Sequence, residues 1–306
     1  MTQSDTHDVP PELKTVRDFL RYAVSGFRAA GLAFGHGSSS VIDDAAFLIL
    51  ETLHLPIDRL EPFLDARLTA AERQLLKEAI ELRISTRKPS AYLTRRAYIQ
   101  GIDFYVDERV IVPRSFIGEL LFSDLFGDGE ASLVGDRGAV GHVLDLCTGS
   151  GCLAILAAMV FPVAEVDAVD LSSQALEVAK INIDRHAMAE RVHLLQGDLY
   201  APLVDRRYDL ILTNPPYVDQ RAMAALPAEY RHEPALALAG GEDGLDTVRR
   251  IIAEAPMHLS DEGGLLCEIG SGRELLEAEF PQLDFLWLET AESEGEVFWL
   301  PASAFS

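Results

Sequence analysis

Leu13, Val16, Leu20, Val24 and Phe27 recur at three- and four-residue intervals, and Gly31 follows them. That spacing lines one face of an amphipathic helix, which the glycine ends. Ser40 followed by Asp43 predicts the cap and acidic first turn of a second helix, running to about His54 and stopping before Pro56. Thr69 with Glu72 forms a T-x-x-E capping box and predicts a third helix through about Thr86. Residues 1–90 therefore predict a small helical bundle, with no catalytic signature of its own.

Between residues 91 and 112 the period shortens. Tyr98, Ile99, Phe104, Val106, Val110 and Ile111, broken at Gly101-Ile102-Asp103, predict a β-hairpin linker. From residue 113 to 306 short apolar runs alternate with helical stretches. Strands are expected at 143–146, 165–169, 192–196, 208–213, 264–269, 285–288 and 297–300. Helices are expected at 150–161, 172–186, 245–258 and 273–280. Such alternation predicts an α/β fold with a mostly parallel, doubly wound, Rossmann-like sheet of seven strands. Right-handed crossovers then collect the strand carboxyl ends, and with them a ligand site, along one edge.

Charge changes this picture. The chain of 306 residues carries 26 basic and 49 acidic side chains, a net −23. Residues 1–120 account for only −2 of this, and residues 121–306 for −21. Phosphates are repelled by such a surface, so a broad nucleic-acid interface is excluded and a basic partner is favoured. The exception is local: Arg83, Arg87, Lys88, Arg95 and Arg96 occur with no acid between them. Their expected role is a solvated helix end and linker, with local contact to RNA or an acidic partner through 83–96 as the alternative.

Met1–Pro11 is polar and acidic and lacks the basic and apolar regions of a secretory signal. No apolar run approaches the ~20 residues of a membrane span. Cys147, Cys152 and Cys267 are odd in number and lie in apolar runs, as expected of reduced thiols in a cytoplasmic protein. The eight histidines form no metal-ligand pattern, so no metal is expected. Nothing in the pattern specifies an oligomeric state.

Three strand ends carry candidate chemistry. The first is Asp145-Leu146-Cys147-Thr148-Gly149-Ser150-Gly151, between a strand and a helix. Its glycines allow a tight turn and close ligand approach, although an ordinary strand-to-helix turn has the same composition. Asp170 ends the next strand, 25 residues on, where acids in doubly wound folds accept ribose hydroxyls. Asp198, followed by Leu199, ends the third and can accept an adenine amine. Each carboxylate can also serve simply as a helix cap. No Lys-Ser/Thr follows the glycines, so this is not a phosphate-binding loop. An acidic lining suits an adenosine ligand with a positive centre, such as S-adenosylmethionine.

Asn214-Pro215-Pro216-Tyr217 closes the fourth strand and is the most specific signal in the chain. Two prolines fix the backbone and lack N–H donors. Asn214 adds a side-chain carbonyl acceptor. Together they can hold a planar NH2 group by both hydrogens, with Tyr217 as a flat wall.

These motifs resemble the class I S-adenosylmethionine-dependent methyltransferases that act on amino groups. More narrowly, the chain resembles the HemK/PrmB family of protein-glutamine methyltransferases over nearly its whole length. Val112-Pro113-Arg114, Glu233-Pro234 with Gly240–Leu245, and Glu268-Ile269-Gly270 also match that family's pattern. Ser115 and Ile117-x-Glu119-Leu120 match the branch acting on the third protein of the large ribosomal subunit; Phe116 departs from the proline usual there. The resemblance implies methyl transfer to a glutamine amide of that basic protein, with the helical domain recognising it. It places Asp170 on the ribose, Asp198 near the adenine, and Asp145 with the Cys147–Gly151 loop (Thr148 and Ser150 included) near the methionine part. Asn214 and the Pro215 carbonyl would hold the substrate amide, with Pro216 and Tyr217 completing the turn. No metal is implied. A release-factor glutamine methyltransferase of the same family is the alternative, and a nucleic-acid amino methyltransferase a more distant one.

Overall fold

Four helices pack around Phe19, Ala23, Phe27, Leu48, Ile49, Leu76 and Ile80 in the N-terminal unit of the computed structural model, which describes residues 9–129, 131–291 and 293–306. Residues 1–8 of the polar Met1–Pro11 stretch lie outside the described residues. Helix α1 (Val16–Ala29) starts at Thr15, whose hydroxyl accepts from the Asp18 N–H while Asp18 reaches back to the Thr15 N–H. Helix α2 (Val41–Thr52) is capped by Ser40, and α3 (Ala70–Thr86) by the Thr69/Glu72 box. A short α4 (Ser90–Thr94) follows. Each cap satisfies backbone donors that the first helical turn leaves open.

Arg83 departs from the expected solvated position. It is 1% exposed, its Nε donates to Asp44 at 3.1 Å, and its guanidinium lies 5.8 Å from the Phe27 ring centre. Helical periodicity places Arg83 on the buried face of α3 with Leu76 and Ile80, and the Asp44 carboxylate compensates its charge. This unit comprises the described residues up to Arg96 together with Pro227–His232. Within it the fully buried Glu229 accepts from the Ala33 N–H at 3.0 Å and pairs with Arg87 at 2.8 Å.

The larger unit, residues 97–226 and 233–306, opens with a hairpin of β1 (Ala97–Ile99) and β2 (Ile102–Phe104). Its turn is Gln100-Gly101, at φ 51° and 74°, one residue earlier than the pattern suggested. Two consecutive positive φ values match the right-handed twist of a two-residue hairpin. Ile102 and Asp103 therefore begin β2. After α5 (Ile117–Leu121) come β3 (His142–Leu146), α6 (Cys152–Val160), β4 (Glu165–Asp170), α7 (Ser173–Arg185), β5 (Val192–Gln196) and β6 (Tyr208–Thr213). Then follow α8 (Gln220–Ala225), α9 (Asp246–His258), β7 (Leu259–Glu268), α10 (Arg273–Glu279), β8 (Leu286–Glu289) and β9 (Glu294–Pro301).

The seven-stranded sheet has the order β5-β4-β3-β6-β7-β9-β8. Strands β3 to β7 run parallel, and β9 is antiparallel to both neighbours. The α/β architecture expected from the alternating pattern is present. Residues 143–146 of β3 are fully buried because helices cover both faces of a doubly wound sheet. Chain order runs from β3 to β5 in one direction and from β6 to β7 in the other. The switch point therefore lies between β3 and β6, where a crevice opens at the strand carboxyl ends.

Candidate active site

Leu146 at the end of β3 pairs with Thr213 at the end of β6, and the Thr213 hydroxyl donates to the Leu146 carbonyl at 3.0 Å. This register sets the glycine loop beside Asn214. The loop bends through Cys147, Gly149 and Gly151 at φ 59°, 54° and 77°. Gly151 is required sterically as well: a Cβ there would stand 3.1 Å from Ala179 of α7. Cys147 holds a left-handed conformation without being glycine, a strain typical of functional loops.

A cavity of about 300 Å³ opens at this point, at the small end of the range for small-molecule sites. It is lined wholly by the larger unit. Of the site residues expected from sequence, it brings together Cys147, Gly149, Asp170, Asp198, Leu199, Asn214 and Pro216. Asp145, Thr148, Ser150, Gly151, Pro215 and Tyr217 lie outside its lining.

Asp145 is fully buried beneath the loop. Its Oδ2 accepts from the Thr148 hydroxyl at 2.6 Å and from the Ala154 N–H at 3.0 Å, tying the loop to the start of α6. Burial pushes its carboxyl up to about 7, and Oδ1 has no hydrogen-bond partner. Asp170 accepts from the Gly149 N–H at 2.9 Å on one oxygen and from the Ser172 N–H at 2.8 Å on the other. Burial lifts it above the ordinary carboxylate range, against the pull of these two donors. Asp198 is half-exposed and pairs with Arg250 of α9 at 2.9 Å.

Asn214 donates its Nδ2 hydrogen to the Arg114 carbonyl at 3.2 Å. The Arg114 guanidinium in turn grips Glu233 through two bonds of 2.7 and 2.8 Å, and Glu233 also accepts from the Val112 N–H at 2.9 Å. That bidentate pair fixes the entry to Pro234, Leu236, Ala237 and Ala239, which form one wall of the cavity. Glycines of the 240–244 segment pack on the turn that holds Tyr217. A Cβ on Gly240 would stand 2.7 Å from Tyr217 Cα, and one on Gly244 would stand 2.5 Å from the Tyr217 carbonyl. Tyr217 lays its ring against Gly270 and donates its hydroxyl to Glu268 at 3.2 Å. Burial and the adjacent Glu268 charge raise its phenol.

Sequence reasoning assigned no role to Arg109, Arg114, Glu233, Arg250 or Glu268. Arg114 and Glu233 stand in stretches that match a family pattern, but their pairing spans 119 positions, beyond the reach of any local spacing rule. Among the described residues no group of three or more His, Cys, Asp or Glu side chains is placed to hold a metal ion. Among them, too, no helix is long and apolar enough to cross a membrane.

The lining suits S-adenosylmethionine. Asp170 and Asp198 keep lone pairs for ribose and amine donors, the loop glycine allows close approach, and Val169, Leu171 and Leu199 offer apolar surface. Residues 131–229 match the model of the methyltransferase small domain. The catalytic domain of human Mettl16, solved with a MAT2A 3'UTR hairpin, covers 74% of this chain and 80% of its own at a TM-score of 0.51 and 14% identity, a likeness of fold alone. Two curated relatives are far closer in sequence. The ribosomal protein uL3 glutamine methyltransferase of Bradyrhizobium diazoefficiens is 60% identical over 95% of this chain and 92% of its own. That of Burkholderia pseudomallei is 58% identical over 96% of each. Identity of this depth along nearly the whole of both chains means that the protein belongs to the ribosomal protein uL3 glutamine methyltransferase family.

Proposed function

We propose that the protein methylates the side-chain amide nitrogen of a glutamine in ribosomal protein uL3, using S-adenosylmethionine. The observation that carries this reading is the orientation of Asn214: the Arg114 carbonyl takes its NH2, so the opposite, acceptor side of the amide is left for the cavity that Asn214 lines. A glutamine amide has two hydrogens to donate and a delocalised lone pair. Asn214 Oδ1 and the Pro215 carbonyl accept those hydrogens and fix the amide plane. Pro216 has no N–H to compete for these acceptors, and Tyr217 braces the turn from behind. S-adenosylmethionine supplies a methyl group already activated on a sulfonium, so positioning is the main demand on the protein. Asp170 holds the ribose, Asp198 the adenine edge, and the loop from Cys147 to Gly151 approaches the methionine portion. The amide sheds its proton after transfer, and no general base acts before it.

The net −21 of residues 121–306 supports a basic protein substrate, which that field draws in. A ribosomal substrate also fits work in the cytoplasm. The test uses labelled S-adenosylmethionine with unmodified uL3, a release factor, DNA and RNA in separate reactions. Label in uL3 is expected; label in the release factor alone moves the protein to the other branch, and label only in nucleic acid overturns the reading. Asn214→Ala is expected to cut transfer severely, to a residual rate still measurable in single turnover, while cofactor binding persists, and unchanged turnover would remove the amide clamp.

A further inference from the structure

Glu268, the last residue of β7, is 1% exposed and has no part in the reading above. Its Oε2 accepts from the Ser115 hydroxyl at 2.6 Å and the Phe116 N–H at 2.9 Å, and its Oε1 from the Tyr217 hydroxyl at 3.2 Å. All three donors are neutral. A carboxylate buried among neutral donors is costly to keep, which asks what the arrangement secures.

The donors come from two segments that meet at Asn214. Ser115 and Phe116 directly follow Arg114, whose carbonyl takes the Asn214 NH2 at 3.2 Å. Tyr217 closes the turn that Asn214 opens. One carboxylate thus grips the peptide that orients the asparagine and the ring that ends its turn. The Asn214 amide has an acceptor side and a donor side. Turned over, it would present NH2 to the NH2 of the substrate, donor against donor.

We propose that Glu268 is a positioning residue: by holding Ser115, Phe116 and Tyr217 it fixes the Arg114 carbonyl against Asn214 and so turns Asn214 Oδ1 toward the substrate amide. The proposal rests on the amide clamp assigned to Asn214. It assigns Glu268 no contact with substrate or cofactor, and it predicts that Glu268 acts wholly through the asparagine.

The experiment is a double-mutant cycle of Glu268→Ala and Asn214→Ala, read by single-turnover methylation of uL3, KM for uL3 and Kd for S-adenosylmethionine. Glu268→Ala is expected to lower the transfer rate about 30-fold, within the range for a lost orienting contact, with KM and Kd within about threefold of wild type. Glu268→Gln, which keeps an acceptor for Phe116 and a polar partner for Tyr217, is expected to recover most of the rate. In the Asn214→Ala background, Glu268→Ala is expected to cost nothing further. Full activity of Asn214→Ala would refute the clamp itself. An impaired Asn214→Ala with an additive Glu268→Ala loss would refute the positioning role alone, as would a folded Glu268→Ala enzyme of wild-type rate. Should Glu268→Ala fail to fold, Ser115→Ala and Tyr217→Phe take its place in the same cycle, each expected to lose about three- to tenfold, and an additive loss refutes the proposal equally.

Discussion

Asp170 offers the sharpest test of the cofactor site. Its carboxylate already serves two backbone donors, Gly149 N–H at 2.9 Å and Ser172 N–H at 2.8 Å. An ionised carboxylate presents about four lone-pair directions, so about two remain, enough for the two ribose hydroxyls. Hydrogen bonds to a charged acceptor contribute about 1.5–3 kcal/mol each. Asp170→Ala removes two such bonds and frees the Gly149 N–H in a loop held at positive φ. Allowing for water that replaces part of the loss, the expected net is about 3 kcal/mol, or about 10²-fold in Kd. Asp170→Asn is not silent either, because its NH2 must face one of the two N–H donors, and about tenfold is expected. Calorimetric titration of the variants with S-adenosylmethionine measures this, with thermal unfolding of the ligand-free proteins as a control for the loop. A dideoxyribose analogue sharpens it, since wild type should bind the analogue far more weakly and Asp170→Ala should barely distinguish the two. A Kd for Asp170→Ala within threefold of wild type would refute the ribose assignment.

Two further predictions concern stability. Arg114→Ala leaves the fully buried Glu233 carboxylate without its bidentate partner; breaking such a pair costs about 3 kcal/mol, expected as a fall of about 6–12 °C in the unfolding of the larger unit. A fall under 2 °C in differential scanning calorimetry would contradict it. Asp145 has its carboxyl raised by burial to about 7, so its folded pKa lies above the unfolded one. Its contribution to stability is therefore fully present below about pH 4 and is lost as pH rises through about 7. Asp145→Asn removes this slope, and its melting temperature relative to wild type should be higher at pH 8 than at pH 5. An equal difference at both pH values would mean that the aspartate is ionised throughout.

The helices of the N-terminal unit were legible because capping and amphipathic spacing act within a few residues. Ser40 and Thr69 each cap their helices where the pattern places them. The parallel sheet was legible for a similar reason, since βαβ alternation and right-handed crossovers leave few topologies. Glycines and prolines disclosed the loop after β3 and the turn after β6, because backbone restrictions are written in residue type. Arg83 was misplaced as solvated, because charge alone does not reveal a buried partner 39 positions away.

By itself, then, the sequence determined what local physics specifies: helix starts, strand runs, the two turns after β3 and β6 and the acidic charge of that half of the chain. Tertiary structure alone decided which carboxylates face the cavity and which support it. Asp145 and Asp170 are alike as strand-end acids, yet one is sealed under α6 while the other lines the pocket. It also decided that Arg114, Glu233 and Glu268 converge on Asn214 and its turn. Their partners lie 51 to 153 positions apart; Tyr217 meets Glu268 because β6 pairs with β7, and the segment after the hairpin folds onto those two strand ends. Contacts across such separations depend on sheet order and register, which no short-range pattern encodes.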